Sequence, residues 1–291
     1  MFGRTISLRK TEVLLQPAPN SAPCQPSITL NGIQLKNVKS FKYLGSTLSS
    51  DGTLDNEIAA RIQMASLALG RLRTKVLQHK NVRLSTKLKV YNAVVLSSLL
   101  FGCETWTLYR RHTKKLEQFH MRSLWSIMHI RWQDRITNQE VLDRARTSSI
   151  EAKILQAQLR WFGHVIRMEE SRIPRQLFYS ELTQGNRNQG RPKKRYKDNL
   201  KANLKWAHLQ PREFKTAAVD RYRWRALTKK AVTAFEVNCR QCLAVARERR
   251  HQAASTCVPP SGIPCPTCNC MCASSFGLCS HMQTHQRGRN T

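Results

Sequence analysis

The chain has 291 residues, with 49 lysines and arginines against 18 aspartates and glutamates, which gives a formal net charge of +31. So large an excess repels itself in a folded chain, and it predicts a polyanionic partner such as nucleic acid rather than a small acidic substrate. The uncharged stretch from Val90 to Cys103 is shorter than the ~18 residues that cross a bilayer, so we expect no membrane insertion. Hydrophobic residues make up 41% of the chain, enough for a folded core.

Ten cysteines bear on the compartment in which the chain works. The residues that follow Met1 offer neither an apolar core nor a cleavage site, so a secretory signal is not expected. In a reducing compartment, clustered thiols bind metal more often than they pair as disulfides. We therefore expect an intracellular protein, nuclear or alternatively cytoplasmic, that is not secreted.

Residues 1–50 have the pattern of short strands. The dipeptide Asn31-Gly32 lies between two apolar runs, Ser27 to Leu30 and Ile33 to Leu35, and predicts a two-residue hairpin. Phe41 to Leu48 follows as a further predicted strand. Because these strands do not complete a sheet, we interpret this zone as part of a truncated domain.

Over residues 51–182 the apolar residues take a helical period. A stripe at steps of three and four residues predicts the first helix and consists of Ile58, Ile62, Ala65, Leu69, Leu72 and Val76. Ser85 and Thr113 are predicted to cap the next two helices. The segments from Thr137 to Glu140 and from Ser148 to Glu151 both fit a capping box. Short, separately capped helices favour a bundle.

Residues 183–252 combine a basic loop with two predicted helices, over about 196–208 and about 212–250. We expect the loop to contact phosphates through its cations and to offer Tyr196 for stacking. The candidate nucleic-acid-binding residues are Arg187, Arg191, Lys193, Lys194, Arg195, Lys197 and Lys201. The same run also fits a nuclear-localisation patch, and both interpretations stay open at this point.

Residues 253–291 form a predicted linker and zinc finger. Two thiolates at a tight turn and two imidazoles one helical turn apart complete a tetrahedron around Zn²⁺. The residues with this spacing are Cys265, Cys268, His281 and His285. Leu278 occupies the core-leucine position of such fingers, whereas Cys272 stands at the usual aromatic position and Phe276 is a candidate substitute.

Further cysteines leave the ligand set open, namely Cys270, Cys272 and Cys279. At the three helix positions from which fingers contact base edges, this chain has Ser274, Gly277 and Ser280. None of these side chains has the paired donors or acceptors that discriminate guanine or adenine. The finger is therefore predicted to contact phosphate or RNA, or to close the C-terminal region, rather than to select a DNA sequence.

Other candidate residues have simpler interpretations. Cys239 and Cys242 allow a second zinc site, but thiols on a helix face are the better interpretation. His164, next to apolar aromatic residues, is expected to be a hydrogen-bonded core histidine. Most of the six tryptophans are expected to anchor the core, with one or two available to stack on bases.

No catalytic constellation is found in the sequence. The adjacent acids Glu169 and Glu170 lack a third carboxylate placed for two-metal chemistry, and no nucleophile motif is present. The residues therefore predict a binding protein without a small-molecule substrate rather than an enzyme.

Several motifs together resemble the RTE-like LINE (non-LTR) retrotransposon endonuclease–reverse transcriptases. Two of them are similar to the last palm motifs of the polymerase, Lys10-Thr11-Glu12 and Phe41-Lys42-Tyr43-Leu44-Gly45-Ser46. The segments that resemble the thumb and post-thumb region are Leu100 to Trp106, Leu159 to Met168, Gly190-Arg191-Pro192, Asp220-Arg221 and Trp224-Arg225. A terminal finger occurs in that family as well.

The resemblance implies a mainly α fold with a short β-hairpin remnant of a polymerase palm, a helical thumb or connection bundle and a ββα-type zinc finger. It implies a primer-grip-like hairpin formed by Phe41, Tyr43, Leu44 and Gly45. In that family, the endonuclease and the metal-binding aspartates of the polymerase precede the first of these motifs. The chain is therefore expected to be a C-terminal fragment that lacks both active sites and is not an enzyme.

Two functions of different classes follow from these patterns. The first is a retrotransposon reverse-transcriptase fragment that binds zinc and RNA or an RNA–DNA hybrid. The second is a domesticated nuclear zinc-finger protein that acts as a DNA-binding or regulatory factor. An element-derived reading frame without cellular function is the third interpretation.

Overall fold

The computed structural model describes residues 7, 10–17, 27–180, 190, 193–210, 213–256 and 262–287. The chain divides into two compact units, residues 1–237 and 238–291. The finer division into zones at 50, 182 and 252 stays a prediction. Across the described ranges the fold is mainly helical, which confirms the predicted class, and none of the described helices combines the length and apolar character needed to cross a bilayer.

The strands are short and pair two by two. Those described are β1 (Glu12–Val13), β2 (Thr29–Leu30), β3 (Ile33–Gln34), β4 (Lys36–Asn37), β5 (Ser40–Tyr43), β6 (Ser46–Ser49), β7 (Ile263–Pro264) and β8 (Met271–Cys272). β1 pairs with β4 in parallel, and the pairs β2–β3, β5–β6 and β7–β8 are antiparallel.

Residues 41–48, predicted as one strand, fold into the β5–β6 hairpin instead. Its turn residues Leu44 and Gly45 have φ of 47° and 87°, the paired positive values of a type I′ turn. The predicted Asn31-Gly32 turn has the same geometry, with φ of 53° and 77°. Glycine adopts positive φ without strain, so Gly45 allows the chain to reverse between β5 and β6.

The helices occupy most of the remaining described chain. They are α1 (Asp55–Leu72), α2 (Leu84–Val90), α3 (Ser97–Leu99), α4 (Arg110–Ile127), α5 (Asn138–Arg144), α6 (Ile150–Ile166), α7 (Ile173–Tyr179), α8 (Tyr196–Trp206), α9 (Phe214–Val219), α10 (Arg221–Thr256) and α11 (Ser275–Arg287). Wider π-helical turns extend α1 over Arg73–Leu77 and join α2 to α3 over Tyr91–Leu96. Short 3-10 turns lie at Cys103–Thr105 and Trp132–Asp134.

Two apolar cores share helix α6. The first core buries Ile58 and Ala65 of the predicted α1 stripe, with Ile62, Leu69 and Leu72 partly buried against it, together with residues of α2–α5 and Ile154 of α6. The second core joins Leu159 and Phe162 of α6 to residues of α7, α8, α9 and the first turns of α10. A helix that is apolar on both sides must be enclosed, and α6 is the element that both cores need.

Polar contacts fasten α6 to its neighbours at its middle. The buried Gln158 side chain donates from Nε2 to the Trp106 carbonyl at 2.9 Å and accepts at Oε1 from Asn203 Nδ2 at 2.7 Å. One turn later, the buried indole of Trp224 donates to the Leu159 carbonyl at 2.9 Å and lies directly on Gly163. Only a residue without Cβ leaves room for that indole.

A buried ion pair holds the β5–β6 hairpin on α1. Arg61 Nε lies 2.7 Å from Glu57 Oε1, and both side chains are 3% exposed. Arg61 also donates to the Gly45 carbonyl at 2.7 Å, and Glu57 accepts from the Thr47 amide. Each charge therefore has a partner and further hydrogen bonds, which is the condition under which a buried pair is tolerated.

The helix starts correct several predicted caps. α2 begins after Arg83 and α4 after Tyr109, so Ser85 and Thr113 lie inside their helices. The hydroxyl of Thr137 accepts from the Glu140 amide at 3.3 Å, as predicted. At α6 the cap is Ser149 rather than Ser148.

Carboxylates accept from first-turn amides at two further helix starts. The amide of Ile150 in the first turn of α6 donates to Glu117 Oε2 of α4 at 3.0 Å, so a distant helix provides the predicted carboxylate. The helix predicted over 212–250 is two helices, because the Asp220 carboxylate accepts from the Tyr222 and Arg223 amides and starts α10 there. At α5, α6 and α10, side-chain acceptors thus satisfy amides of the first turn.

The prediction that His164 belongs to the core is wrong, because it lies on the exposed face of α6 beside Trp161. The fully buried histidines are His112 and His120 of α4. His120 Nδ1 lies 2.9 Å from the Tyr91 hydroxyl, while its Nε2 has no hydrogen-bond partner. Burial, and secondarily the charge of Lys153, lower the pKa of His120 to about 3.

We expect Gly163→Ala to lower the free energy of unfolding by about 1–3 kcal/mol, because the added Cβ would overlap the Trp224 indole and force the two helices apart. Gly70→Ala is the matched control, since Gly70 is also helical but has open space around it. It is expected to stabilise by about 0.5–1 kcal/mol. Urea unfolding followed by circular dichroism measures both, and equal effects of the two changes would contradict the proposed packing.

We expect His120 to make the protein sensitive to acid. Its pKa is depressed in the folded state relative to ~6.5 when unfolded, so its contribution is fully present above pH 6.5 and is lost as the pH falls towards 3. The loss is at most about 1.4 kcal/mol per pH unit. Unfolding midpoints between pH 7 and pH 4 should fall less steeply in His120→Gln, whereas exchange of the exposed His79 for glutamine should leave the wild-type slope.

Candidate metal centre and nucleic-acid interface

A tight turn between β7 and β8 presents the first two candidate ligands. The Asn269 amide donates to the Cys265 carbonyl at 2.9 Å, and the Cys265 amide donates to the Cys270 carbonyl at the same distance. Asn269 has a φ of 59°, which asparagine tolerates better than most residues. Because the chain reverses between them, Cys265 and Cys268 bring their thiols close to each other.

Helix α11 supplies the imidazoles. His281 and His285 are separated by one turn, and their Nε2 atoms lie 3.0 Å apart. The Cys268 Sγ lies 3.0 Å from the His281 Nε2, and the ligand atoms of all four residues lie within 4.8 Å of one another. Two strands and a helix around four such atoms confirm the predicted ββα architecture, and the cluster could hold a metal ion.

The electrostatics of the turn favour a thiolate at Cys265. Burial acts to raise the pKa of this thiol, but hydrogen bonds from the Thr267 and Cys268 amides outweigh it, and the pKa is lowered. The thiolate is the form that binds metal. Among the described residues, the cluster of four is the only such group, so Cys270, Cys272 and Cys279 are not part of it, and Cys239 and Cys242 do not gather a second one.

The core of the finger departs from the prediction at one position. Phe276, the candidate substitute for the missing aromatic residue, is 84% exposed and does not fill the core. Leu278 is half-buried, as is Cys272 at the usual aromatic position. The Ser274 hydroxyl accepts from the Gly277 amide at 3.1 Å, so this side chain caps α11 and is occupied within the finger.

Two residues of the predicted basic loop, Lys193 and Lys194, form hydrogen bonds with distant parts of the chain. The described residues 193–201 are called the basic segment below. Lys193 Nζ donates to the Asp51 carbonyl at 2.6 Å, and Lys194 Nζ donates to the Leu108 carbonyl at 3.3 Å while lying over the Tyr109 ring. The Lys194 amide donates to the Tyr109 hydroxyl at 3.0 Å. These contacts join residues more than 80 positions apart, and no spacing in the sequence signals them.

The remaining predicted cations lie on α8 or outside the described residues. Arg195 pairs with Asp198 at 3.6 Å, and Lys197 donates to the Tyr179 and Ser180 carbonyls. Lys201 is exposed one turn further on, followed by exposed Lys205, which is not among the predicted contact residues. Two of the predicted residues, Arg187 and Arg191, lie outside the described ranges.

The primer-grip-like residues occupy the β5–β6 hairpin. Phe41 is half-buried, whereas Tyr43 and Leu44 project from the tip, with Leu44 79% exposed. The Glu57–Arg61 pair that anchors this tip was not predicted. An acid and a base four residues apart usually mark an exposed helical pair, so the sequence carried no sign of its burial.

We expect Cys265→Ser to abolish binding of one equivalent of zinc, because three remaining ligands hold the ion far less tightly. The helical signal of residues 54–250 should largely persist, since the first compact unit has its own apolar cores. Metal content by atomic absorption and far-ultraviolet circular dichroism measure the two effects.

Cys270→Ser is the matched control for this change, because Cys270 is an exposed thiol of the same turn outside the cluster. It should retain the equivalent of zinc. Loss of zinc in Cys270→Ser, or a global loss of helix in Cys265→Ser, would contradict the assignment.

Comparisons with known proteins add one relative. The chain is 24% identical over 242 residues to an uncharacterized transposon-derived protein of Caenorhabditis elegans, a match that covers 79% of this chain and 85% of the relative. No protein-family model matches the chain, and no solved structure matches it. The similarity supports a transposon origin for this chain.

Proposed function

We propose that this chain binds RNA or an RNA–DNA hybrid as the thumb-like and zinc-finger region of an RTE-like LINE reverse transcriptase, and that it holds nucleic acid rather than catalysing a reaction. The observation that carries the proposal is the net charge of +31 on a chain with well-formed apolar cores. A folded protein of this charge is stabilised by a polyanion, and transposon proteins meet nucleic acid. The similarity to a transposon-derived protein supports the same class of partner.

Helix α8 supports a phosphate-binding surface. Lys197, Lys201 and Lys205 follow one another at steps of four residues, so they lie along one face of the helix. Lys193 and Lys194, which precede α8, are held by the carbonyl groups of Asp51 and Leu108. Cations on a rigid support lose less conformational entropy on binding than cations on a mobile tail.

The exposed hairpin tip of the first unit and the finger of the second unit are two further candidate contacts, each considered by itself. Tyr43 and Leu44 would contact the end of a bound strand, in the manner that the primer-grip resemblance implies. Four protein ligands leave no open coordination position for a substrate, so the site formed by Cys265, Cys268, His281 and His285 has the character of a structural site. Zn²⁺ bound there would supply folding free energy to the finger.

A domesticated nuclear zinc-finger factor is the second candidate, and the ββα architecture favours it. The finger is poorly suited to discriminate bases, because the Ser274 hydroxyl caps α11 and the other two base-contacting positions are Gly277 and Ser280. In this case the basic segment would serve as a nuclear address.

Binding of structured RNA, RNA–DNA hybrid and duplex DNA at several salt concentrations tests the proposal. Exchange of Arg191, Lys193, Lys194 and Arg195 for glutamine should weaken binding about equally for every sequence of one type of nucleic acid. It should flatten the plot of log affinity against log salt by just under one unit per lost phosphate contact, up to roughly three to four units.

Two controls separate local contact from overall charge and from docking of the segment. The same number of charges removed from exposed residues elsewhere, at Arg73, Lys75, Lys80 and Arg83, should leave the slope closer to that of the wild type. The charge-preserving changes Lys193→Arg and Lys194→Arg should preserve the wild-type slope. An unchanged slope with lost nuclear entry would overturn the phosphate-binding role, and tight site-specific duplex binding would favour the second candidate.

A further inference from the structure

The six tryptophans of the chain differ sharply in their surroundings. Trp106 and Trp224 are buried, and Trp125, Trp161 and Trp206 are half-buried. Trp132 is 80% exposed. The indole of Trp132 therefore presents a large aromatic face to solvent, where it is available to a partner.

The loop that carries Trp132 is ordered by its own hydrogen bonds. The Arg131 amide donates to Asp134 Oδ2 at 2.7 Å, and the Asp134 amide returns a hydrogen bond to the Arg131 carbonyl at 3.1 Å. On either side, Ile130 and Ile136 pack against the first core. The indole is therefore presented from a fixed 3-10 turn with both ends anchored.

Backbone strain brackets the same turn. His129 has a φ of 55° and Arg135 a φ of 50°, values that non-glycine residues adopt at a cost. Strain of this kind persists where the surrounding structure holds it in place, and it concentrates at functional sites. Here the two strained residues turn the chain so that Trp132 projects from the surface between them.

The charges around Trp132 indicate the chemistry of a ligand that would contact its indole. Arg131 and Arg135 are exposed, and the ion pairs found among the described residues include neither of them. The acid of the turn, Asp134, accepts from the Arg131 amide at 2.7 Å. An exposed aromatic ring with an exposed arginine on either side of it in the same turn matches a nucleobase attached to its phosphates, because every base has a face that stacks on indole and every phosphate attracts guanidinium.

We infer that Trp132 is a stacking platform for an unpaired nucleobase, with Arg131 and Arg135 contacting the adjacent phosphates. This inference rests on the proposed function and deepens it, because it names a contact that distinguishes single strands from duplexes. Bases inside a duplex cover each other's faces, so only an unpaired base has a face free for the indole.

The test uses the full chain with zinc and a fluorescent oligouridylate of about 12 nucleotides, within the usual site sizes of single-strand binders. Trp132→Ala should weaken binding between roughly fivefold and a hundredfold and leave binding to a duplex of equal length unchanged. The salt slope should not change, since no phosphate contact is lost. An abasic strand should bind wild type and Trp132→Ala equally.

Matched variants keep the result specific. Gln133→Ala alters the next residue of the same turn and should bind like wild type. Trp132→Phe keeps a ring and should retain most of the affinity, but it should lose the quenching of tryptophan fluorescence that RNA causes in the wild type. Circular dichroism should show the wild-type helical signal in all of them, because Trp132 is exposed.

The outcomes separate this inference from the proposed function. Equal oligouridylate affinity in wild type and Trp132→Ala, with salt-dependent binding still weakened by the changes at residues 191–195, would overturn the stacking role alone. Equal loss on single strands and duplexes would also overturn it. A wild-type chain that binds no nucleic acid at low salt would overturn both.

Discussion

The described part of the first unit depends on one constraint, which is that α6 must be apolar on two sides at once. Its first turns close the core formed by α1–α5, and its later turns open the core that α7–α10 complete. At the crossover the backbone has to approach Trp224 so closely that position 163 must be glycine. The buried Gln158 amide then ties both cores to the turn before α4. Because both cores share this helix, a change at its middle is expected to loosen both cores rather than one.

The surface features follow from this frame. A buried ion pair between Glu57 and Arg61 holds the exposed hairpin tip, so Tyr43 and Leu44 are presented from a fixed support. Lys193 and Lys194, which precede α8, donate to the carbonyl groups of Asp51 and Leu108. Trp132 projects from a turn that its own backbone closes. In each case the exposed group is held in place by buried or backbone contacts, which lowers the entropic cost of ordering it on a partner.

The second unit follows a different physical logic. Its finger has little apolar core, since Phe276 is exposed and Leu278 only half-buried. A domain that small needs a further source of stability, and four ligand atoms within 4.8 Å of one another can provide one if a metal binds. The metal site is therefore expected to determine whether the finger folds, whereas the first unit folds on apolar burial.

The sequence by itself determined what local chemistry controls: the helical class, the apolar stripe of α1, the turn at Asn31-Gly32, and the spacing of Cys265, Cys268, His281 and His285. These features depend on residues close together in the chain, so period and spacing are sufficient to find them. Tertiary structure decided the rest. The first amide of α6 donates to Glu117 of α4, Lys194 is held by Tyr109, His164 faces outwards while His120 is buried, and one tryptophan of six is exposed. Each of these outcomes depends on which distant elements pack together, and a spacing pattern within one segment does not encode that choice.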